Sequence, residues 1–286
     1  MQADPSTPPA HVLAQFTNSD LVFGRVVVPV PNQNKAPKRG KLGELNWLLF
    51  SSVLTRTGFE YMEHSYIGDS IKLTLADGEP VAASNHGFRL PNGLNLTYGQ
   101  INALAGDFYG TRDPISDGRD DQDCSARFLA AYDTLANGGP RQPKEANDIL
   151  AVLQAEIDTV NNALMHHQDP SVAYSALPDV TSKLEEITSG RSNIPSYVGL
   201  AQINWDHFGV DARTAYNTGH AIAIQRAIGG DLEGAYALNA FADHFLQDSF
   251  SSGHLRTPRR HLHEPPDLTA DACAKVWAQP TILLMC

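Results

Sequence analysis

The sequence predicts a mainly α-helical fold, and three observations carry that expectation. Apolar residues recur at three- and four-residue spacings through most of the chain beyond residue 42, the period of one helix face. Glycine and proline fall between these stretches, at Gly58, Pro140, Pro143, Pro195 and Gly229-Gly230, where they end or start helices. A single short β-branched run, Val26-Val27-Val28, reads as a strand.

Residues 1–40 are rich in Pro, Asn, Gln and Lys and read as an extended or flexible N-terminal arm in which Val26–Val28 forms one edge strand. From Leu42 the pattern turns helical, with Leu45, Leu48, Leu49, Ser52 and Val53 on one face. After Gly58, the residues Met62, Tyr66 and Ile67 continue it and carry His64. Asp77-Gly78, Pro80 and Asn92-Gly93 mark residues 76–95 as a loop or small hairpin. Thr97 is an N-cap for a helix that stops near Gly106 and leaves Asp107 at its end, beside Phe108 and Tyr109. Residues 110–125, acidic and Gly-rich, read as loop, followed by helices over about 125–136 and 143–167. In the second of these Ile149, Val152, Leu153, Ile157, Val160 and Leu164 keep helical spacing. A broken segment leads to Pro195, and residues 197–228 are helical with interruptions. A last helix starts at the N-cap Asp231. Residues 41–275 thus read as one helical domain, and residues 276–286 as an atypical tail, consistent with a truncated end.

With 286 residues, 42% of them hydrophobic and 19% charged, the chain can bury a substantial core as one large domain or two modest ones. A net charge of -11 argues against a sequence-independent grip on nucleic acid or anionic lipid, though not against a phosphate-bearing substrate held through metal ions. Three cysteines provide no disulfide framework and no paired-cysteine metal motif, so a zinc site has to be built from His and Asp. No apolar run approaches the roughly 18 residues of a transmembrane helix, and the N-terminus lacks a cationic start followed by an apolar core. Asn95-Leu-Thr97 fits a glycosylation acceptor, a triplet that chance often supplies. The compartment stays open.

The chemistry concentrates in His244-Phe-Leu-Gln-Asp248-Ser-Phe-Ser-Ser-Gly-His254. Positions four apart on a helix share a face, so His244 and Asp248 point the same way, one turn apart. Ala237, Ala240 and Phe241 share that stripe, and Leu238, Ala242, Phe245, Leu246 and Phe250 extend the apolar surface around it. A carboxylate in such surroundings needs a partner. A metal or catalytic site satisfies that need, and so does a plain His–Asp hydrogen bond in the core. Gly253 lets the chain leave the helix and return His254 to the same cavity. Of the other histidines, His207 lies in an aromatic turn and His220 reads as a core residue. His166-His167 complement a helix C-terminus, and His11 and His86 read as unpartnered surface residues.

Gly106-Asp107-Phe-Tyr, then Asn204-Trp-Asp-His207-Phe, then Tyr216-Asn-Thr-Gly-His220, then His244-x3-Asp248-x5-His254 resemble, in that order, the zinc-dependent phospholipase C / P1 nuclease family. The resemblance covers residues 97–111 and 205–258. It implies an all-α fold holding up to three zinc ions, with His64, Asp107, His207, His244, Asp248 and His254 as ligands. Asp107 would also orient or deprotonate the attacking water. Arg256 and Arg259 could meet phosphate, although exposed arginines are more often simply solvated. The implied activity is zinc-dependent phosphodiester hydrolysis, with a phospholipid headgroup or nucleic acid as substrate. Two departures stand out. The family's His-x3-Glu pair has no match in His261-Leu-His263-Glu264-Pro-Pro, which leaves the His254 metal position incomplete, and Met1 with its Pro-rich arm does not suit a terminal metal ligand. The alternatives are a weakly active member that binds metal and a non-enzymatic helical interaction protein. The all-α phosphohydrolases built on a His-Asp dipeptide rank lower, because residues 243–244 read Asp-His.

Overall fold

The computed structural model describes residues 20–23, 26–29, 61–251, 253–255 and 257–260. The helical stretch read from Leu42, most of the N-terminal arm, and residues 261–286 lie outside these, as do His11 and Arg256. The described chain is mainly helical with small two-stranded sheets. Strands β1 (Asp20–Phe23) and β2 (Val26–Pro29) pair antiparallel with Val22 opposite Val27, so the valine run belongs to a hairpin and is not a lone edge strand. Helix α1 (Tyr61–Asp69) carries His64. Residues 76–95 fall among two hairpins, β3 (Lys72–Thr74) with β4 (Pro80–Ala82) and β5 (Phe88–Arg89) with β6 (Asn95–Leu96).

Helix α2 (Tyr98–Leu104) begins at a capping box. The Thr97 hydroxyl accepts from the Gln100 amide, and the Gln100 side chain accepts from the Thr97 amide. Asp69, at the end of α1, accepts from Gly99 N (2.7 Å) and the Thr97 hydroxyl (3.0 Å), which ties the two helices together. Their crossing depends on glycine. A Cβ on Gly99 would lie 2.3 Å from Ser65 O, and one on Gly68 would lie 2.7 Å from Gly99 Cα.

Helix α3 (Asp121–Ala136) starts four residues earlier than its hydrophobic pattern suggests. Asp120 caps the Asp123 amide at 2.8 Å. Asp121 and Asp123, which made this stretch look like loop, sit in the first turn, where the helix dipole favours negative charge. The remaining helices are α4 (Gln142–Met165), α5 (Pro170–Ser175), α6 (Thr181–Thr188), α7 (Tyr197–Ala201), α8 (Gly209–Ile228) and α9 (Leu232–Asp248). A 3-10 turn, Trp205–His207, separates α7 from α8. No described helix is long and apolar enough to cross a membrane.

Helix α9 is the central element. Asp231 caps it through Gly234 N at 2.9 Å. Ala237, Ala240, Phe241, Ala242 and Phe245 are buried against α2, α3 and α8. Phe128 and Tyr132 of α3 meet Phe241 edge-on, each at 5.7 Å between ring centres. Gly219 of α8 admits the Phe128 ring and Ala242, since a Cβ there would lie 2.2 Å from Phe128 Cε2. Phe250, expected on the apolar surface of α9, lies past its end and is 76% exposed.

Candidate metal centre

His244 and Asp248 lie one turn apart on α9 and both are fully buried. Asp248 faces imidazoles from four segments. His207 Nδ1 is 2.8 Å from Oδ2 and His244 Nε2 is 3.4 Å from the same oxygen. His64 Nε2 lies 3.5 Å and His254 Nδ1 3.3 Å from Oδ1. Of these contacts only His207 Nδ1 to Asp248 Oδ2 is at hydrogen-bond length. Around a tetrahedral ion with bonds of about 2.0–2.1 Å, neighbouring ligand atoms stand about 3.3–3.4 Å apart. The 3.3–3.5 Å separations of His64, His244 and His254 from Asp248 match that spacing and are long for hydrogen bonds.

Backbone and side-chain partners fix which nitrogens face inward. His244 Nδ1 is 3.0 Å from the Asn102 carbonyl, which can only accept, so Nδ1 carries the hydrogen and Nε2 presents its lone pair to the centre. His64 Nδ1 lies 2.9 Å from Gln247 Oε1, which turns its Nε2 toward Asp248. The His64 and His244 rings stack with centres 4.0 Å apart. His207 follows Asp206, whose carboxylate accepts from the Ile115 and Ser116 amides at 2.6 and 3.0 Å and so anchors the 3-10 turn. Past α9 the bonds Ser251 N→Asp248 O and His254 N→Ser251 O turn the chain back. His254 then packs edge-on against Phe208 at 4.3 Å.

Asp107 completes the cluster at its rim, with Oδ1 3.9 Å from His207 Nδ1 and its side chain 23% exposed. It follows Gly106, whose φ of +67° suits glycine. A Cβ at Gly106 would lie 2.7 Å from His244 Nε2 and 2.9 Å from His207 Nε2. Two overlapping triads result: His64, His244 and Asp248, and Asp107, His207 and His244. Within each, the ligand atoms lie within 4.8 Å of one another. Five of the six expected ligands fall in these triads, His254 adjoins them through Asp248 at 3.3 Å, and the buried His/Asp groups could hold a metal ion. The His261–Glu264 segment that would decide the His254 position lies outside the described residues.

Electrostatics reflect one anion among four bases. Burial opposes charge on Asp248, yet His254, His244 and His207 hold its carboxyl well below the usual range. Burial works against protonated His207, but Asp248 raises it to about 9, and the same carboxylate raises His64 despite burial. Burial, then the neighbouring His64 charge, depresses His244, and burial takes His254 down to about 4. Burial lifts Asp107 to about 6. Without a metal, a proton on His207 faces the Asp248 carboxylate, and burial keeps His254 neutral.

Other side chains fall differently from the sequence expectation. His86 is not unpartnered, since its Nε2 lies 2.9 Å from Glu233 Oε2. His220 is half-buried, stacked on Tyr216 and 2.6 Å from Asn239 Oδ1. Arg259 is half-buried and committed in part, through Nε to Asn204 Oδ1 (2.8 Å) and Nη2 to Ala201 O (2.7 Å). Sequence reasoning missed Gln247 and Asn102 as the groups that orient His64 and His244. Gln247 lies three residues past His244, which places it on the α1 side of the same helix and could have flagged it. No protein-family model, characterised protein or solved structure matches the chain, so the site has to be read from its own geometry.

Proposed function

We propose that the chain is a zinc-dependent phosphodiester hydrolase whose ligands are His64, Asp107, His207, His244, Asp248 and His254. The observation that carries this reading is the lone-pair convergence on Asp248. Two imidazoles whose Nδ1 atoms are committed elsewhere, and a third that is neutral, face a buried carboxylate at the edge length of a zinc tetrahedron. His207 Nδ1, 3.1 Å from His244 Nε2 and 2.8 Å from Asp248 Oδ2, can place one proton among them, and a cation at the centre would satisfy the remaining lone pairs as well. The nitrogen and oxygen donor set, with no thiolate, suits zinc. The order of Asp107, His207 and His244-x3-Asp248-x5-His254, which resembles the phospholipase C / P1 nuclease pattern, supports the phosphodiester class.

When bound, the ion supplies Lewis acidity toward phosphoryl oxygens and water. The chain supplies the rest. Asn102 O holds His244 in one tautomer, and Gln247 orients His64. Asp248, held ionised, sets the charge of the centre. Asp107 is the one carboxylate of the cluster that reaches solvent, and burial lifts it toward neutrality, so it can take a proton from water at the rim. The substrate is a phospholipid headgroup or a nucleic acid, with the net charge of -11 weighing against a stable nucleic-acid grip.

The test is metal stoichiometry together with turnover of a chromogenic phosphodiester. We expect the zinc-loaded chain to hydrolyse it, His244→Ala to lose zinc and turnover together, and Asp107→Asn to lose turnover at least 100-fold. Stoichiometric zinc without turnover in the unaltered chain would leave the weakly active binding protein as the reading, and no zinc at all would end the metal reading.

A further inference from the structure

Asp107 lies on a five-residue turn between α2 and the loop toward α3, and that turn is held from a distant part of the chain. Arg191, in the segment between α6 and α7, donates through Nη1 to Phe108 O (2.8 Å) and Pro195 O (2.9 Å). The same guanidinium meets Glu145 Oε1 of α4 through Nη2 at 2.5 Å and Nε at 3.0 Å. Both side chains of this ion pair are only 2% exposed. The Tyr109 hydroxyl donates to the same Glu145 oxygen at 3.1 Å, and Arg191 lies over the Tyr109 ring, 5.1 Å from its centre. The two residues after Asp107 are therefore both clamped, Phe108 by its carbonyl and Tyr109 by its ring and hydroxyl. Gly106 N→Tyr109 O (3.0 Å) closes the turn from within.

A buried Arg–Glu pair contributes little net stability, because desolvation cancels much of the attraction. Its four directed contacts fix geometry far better than apolar packing would. We propose that Arg191, locked by Glu145, is a positioning residue that sets the reach of Asp107 to the metal centre. This rests on the metal-centre reading of the preceding subsection. A ligand on a turn can drift by an ångström unless its flanking backbone is tethered, and such outlying partners typically change metal affinity by about 10- to 100-fold.

The experiment is a zinc titration by competition with a chromogenic chelator, and a cobalt titration followed by visible absorption. Both are run on the full chain and on Asp107→Asn, Arg191→Met, Arg191→Lys and the double variant Arg191→Met/Asp107→Asn. Failure of the unaltered chain to bind zinc would sink the metal reading itself, independently of Arg191. Given binding, Arg191→Met should weaken zinc about 10- to 100-fold and shift the cobalt spectrum toward that of Asp107→Asn. The double variant should bind no more weakly than Asp107→Asn alone, because Arg191 acts only through that ligand. Should Arg191→Met fail to fold, Arg191→Lys, which keeps the charge but cannot fork among Glu145, Phe108 O and Pro195 O, should still show a smaller loss of the same kind. Zinc affinity and cobalt spectra unchanged in the folded arginine variants would overturn the proposal, as would losses in the double variant that simply add.

Discussion

Gly106 occupies the tightest position around the cluster. Its φ of +67° is one that residues with a Cβ rarely adopt, and a methyl there would press on His244 Nε2 and His207 together. We expect Gly106→Ala to cost about 1–3 kcal/mol of stability and to displace the two imidazoles, so that zinc binding falls with it. Denaturant melts and metal analysis of the variant check this; a variant that melts and loads zinc like the parent would show that the turn relaxes freely. Much of the residue-level picture was legible beforehand. His244 and Asp248 announced themselves by a spacing of four on an apolar helix, and His207, His254 and Asp107 by their order. Arg191 and Glu145 did not, because 46 residues separate them and a buried ion pair leaves no periodic trace in either segment. Phe250 misled because continuing the helical count past Asp248 ignores the turn that brings His254 back.

At the scale of elements, two crossings set the site. Helix α1 brings His64 to α9 by riding over α2 on Gly68 and Gly99. The capping box at Thr97 made α2 readable, but nothing local marks which glycine lies under a neighbouring helix. Gly99→Ala should therefore part α1 from α2, lowering stability by about 2–4 kcal/mol and weakening zinc binding through His64. An unchanged denaturation midpoint would mean the crossing has slack. Helix α4 offers a test away from the metal. Glu156 carries a buried oxygen without a hydrogen-bond partner, and burial pushes its carboxyl up to about 7 from an ordinary 4.5. The folded state then holds a proton that the unfolded chain releases. Stability from this group is full below about pH 4.5 and is lost as pH rises toward 7. Glu156→Gln should accordingly stabilise the protein by about 1–3 kcal/mol at pH 8 and change little at pH 4.5. Thermal melts at the two pH values decide it, and a gain of equal size at both would point to packing and not to ionisation.

Across the whole molecule, the candidate ligands come from α1, the turn after α2, the 3-10 turn before α8, the end of α9 and the turn beyond it. An ion at their centre would join segments from residue 64 to residue 254, whereas α4, α5 and α6 supply none of the candidate ligands, and α4 adjoins the centre only indirectly, through Glu145 beneath the Asp107 turn and Asn161 on Tyr66 of α1. Metal free energy should then flow into some elements and not others. Where a ligand binds only the folded state, stability rises with its free concentration, by about 2.7 kcal/mol at a hundredfold excess over Kd. The local consequence is sharper. Without the ion, a proton on His207 is the contact at hydrogen-bond length to Asp248, and α1, which carries His64, rests on α2 and α9. We predict that chelation lowers the melting temperature and accelerates amide exchange in α1 and the 249–255 turn, while amides of α4 keep their protection. Hydrogen-exchange mass spectrometry with and without excess chelator measures this directly. Equal acceleration in α1 and α4 would show one cooperative unit with no metal staple, and no change anywhere would show that the cluster holds its shape on hydrogen bonds alone.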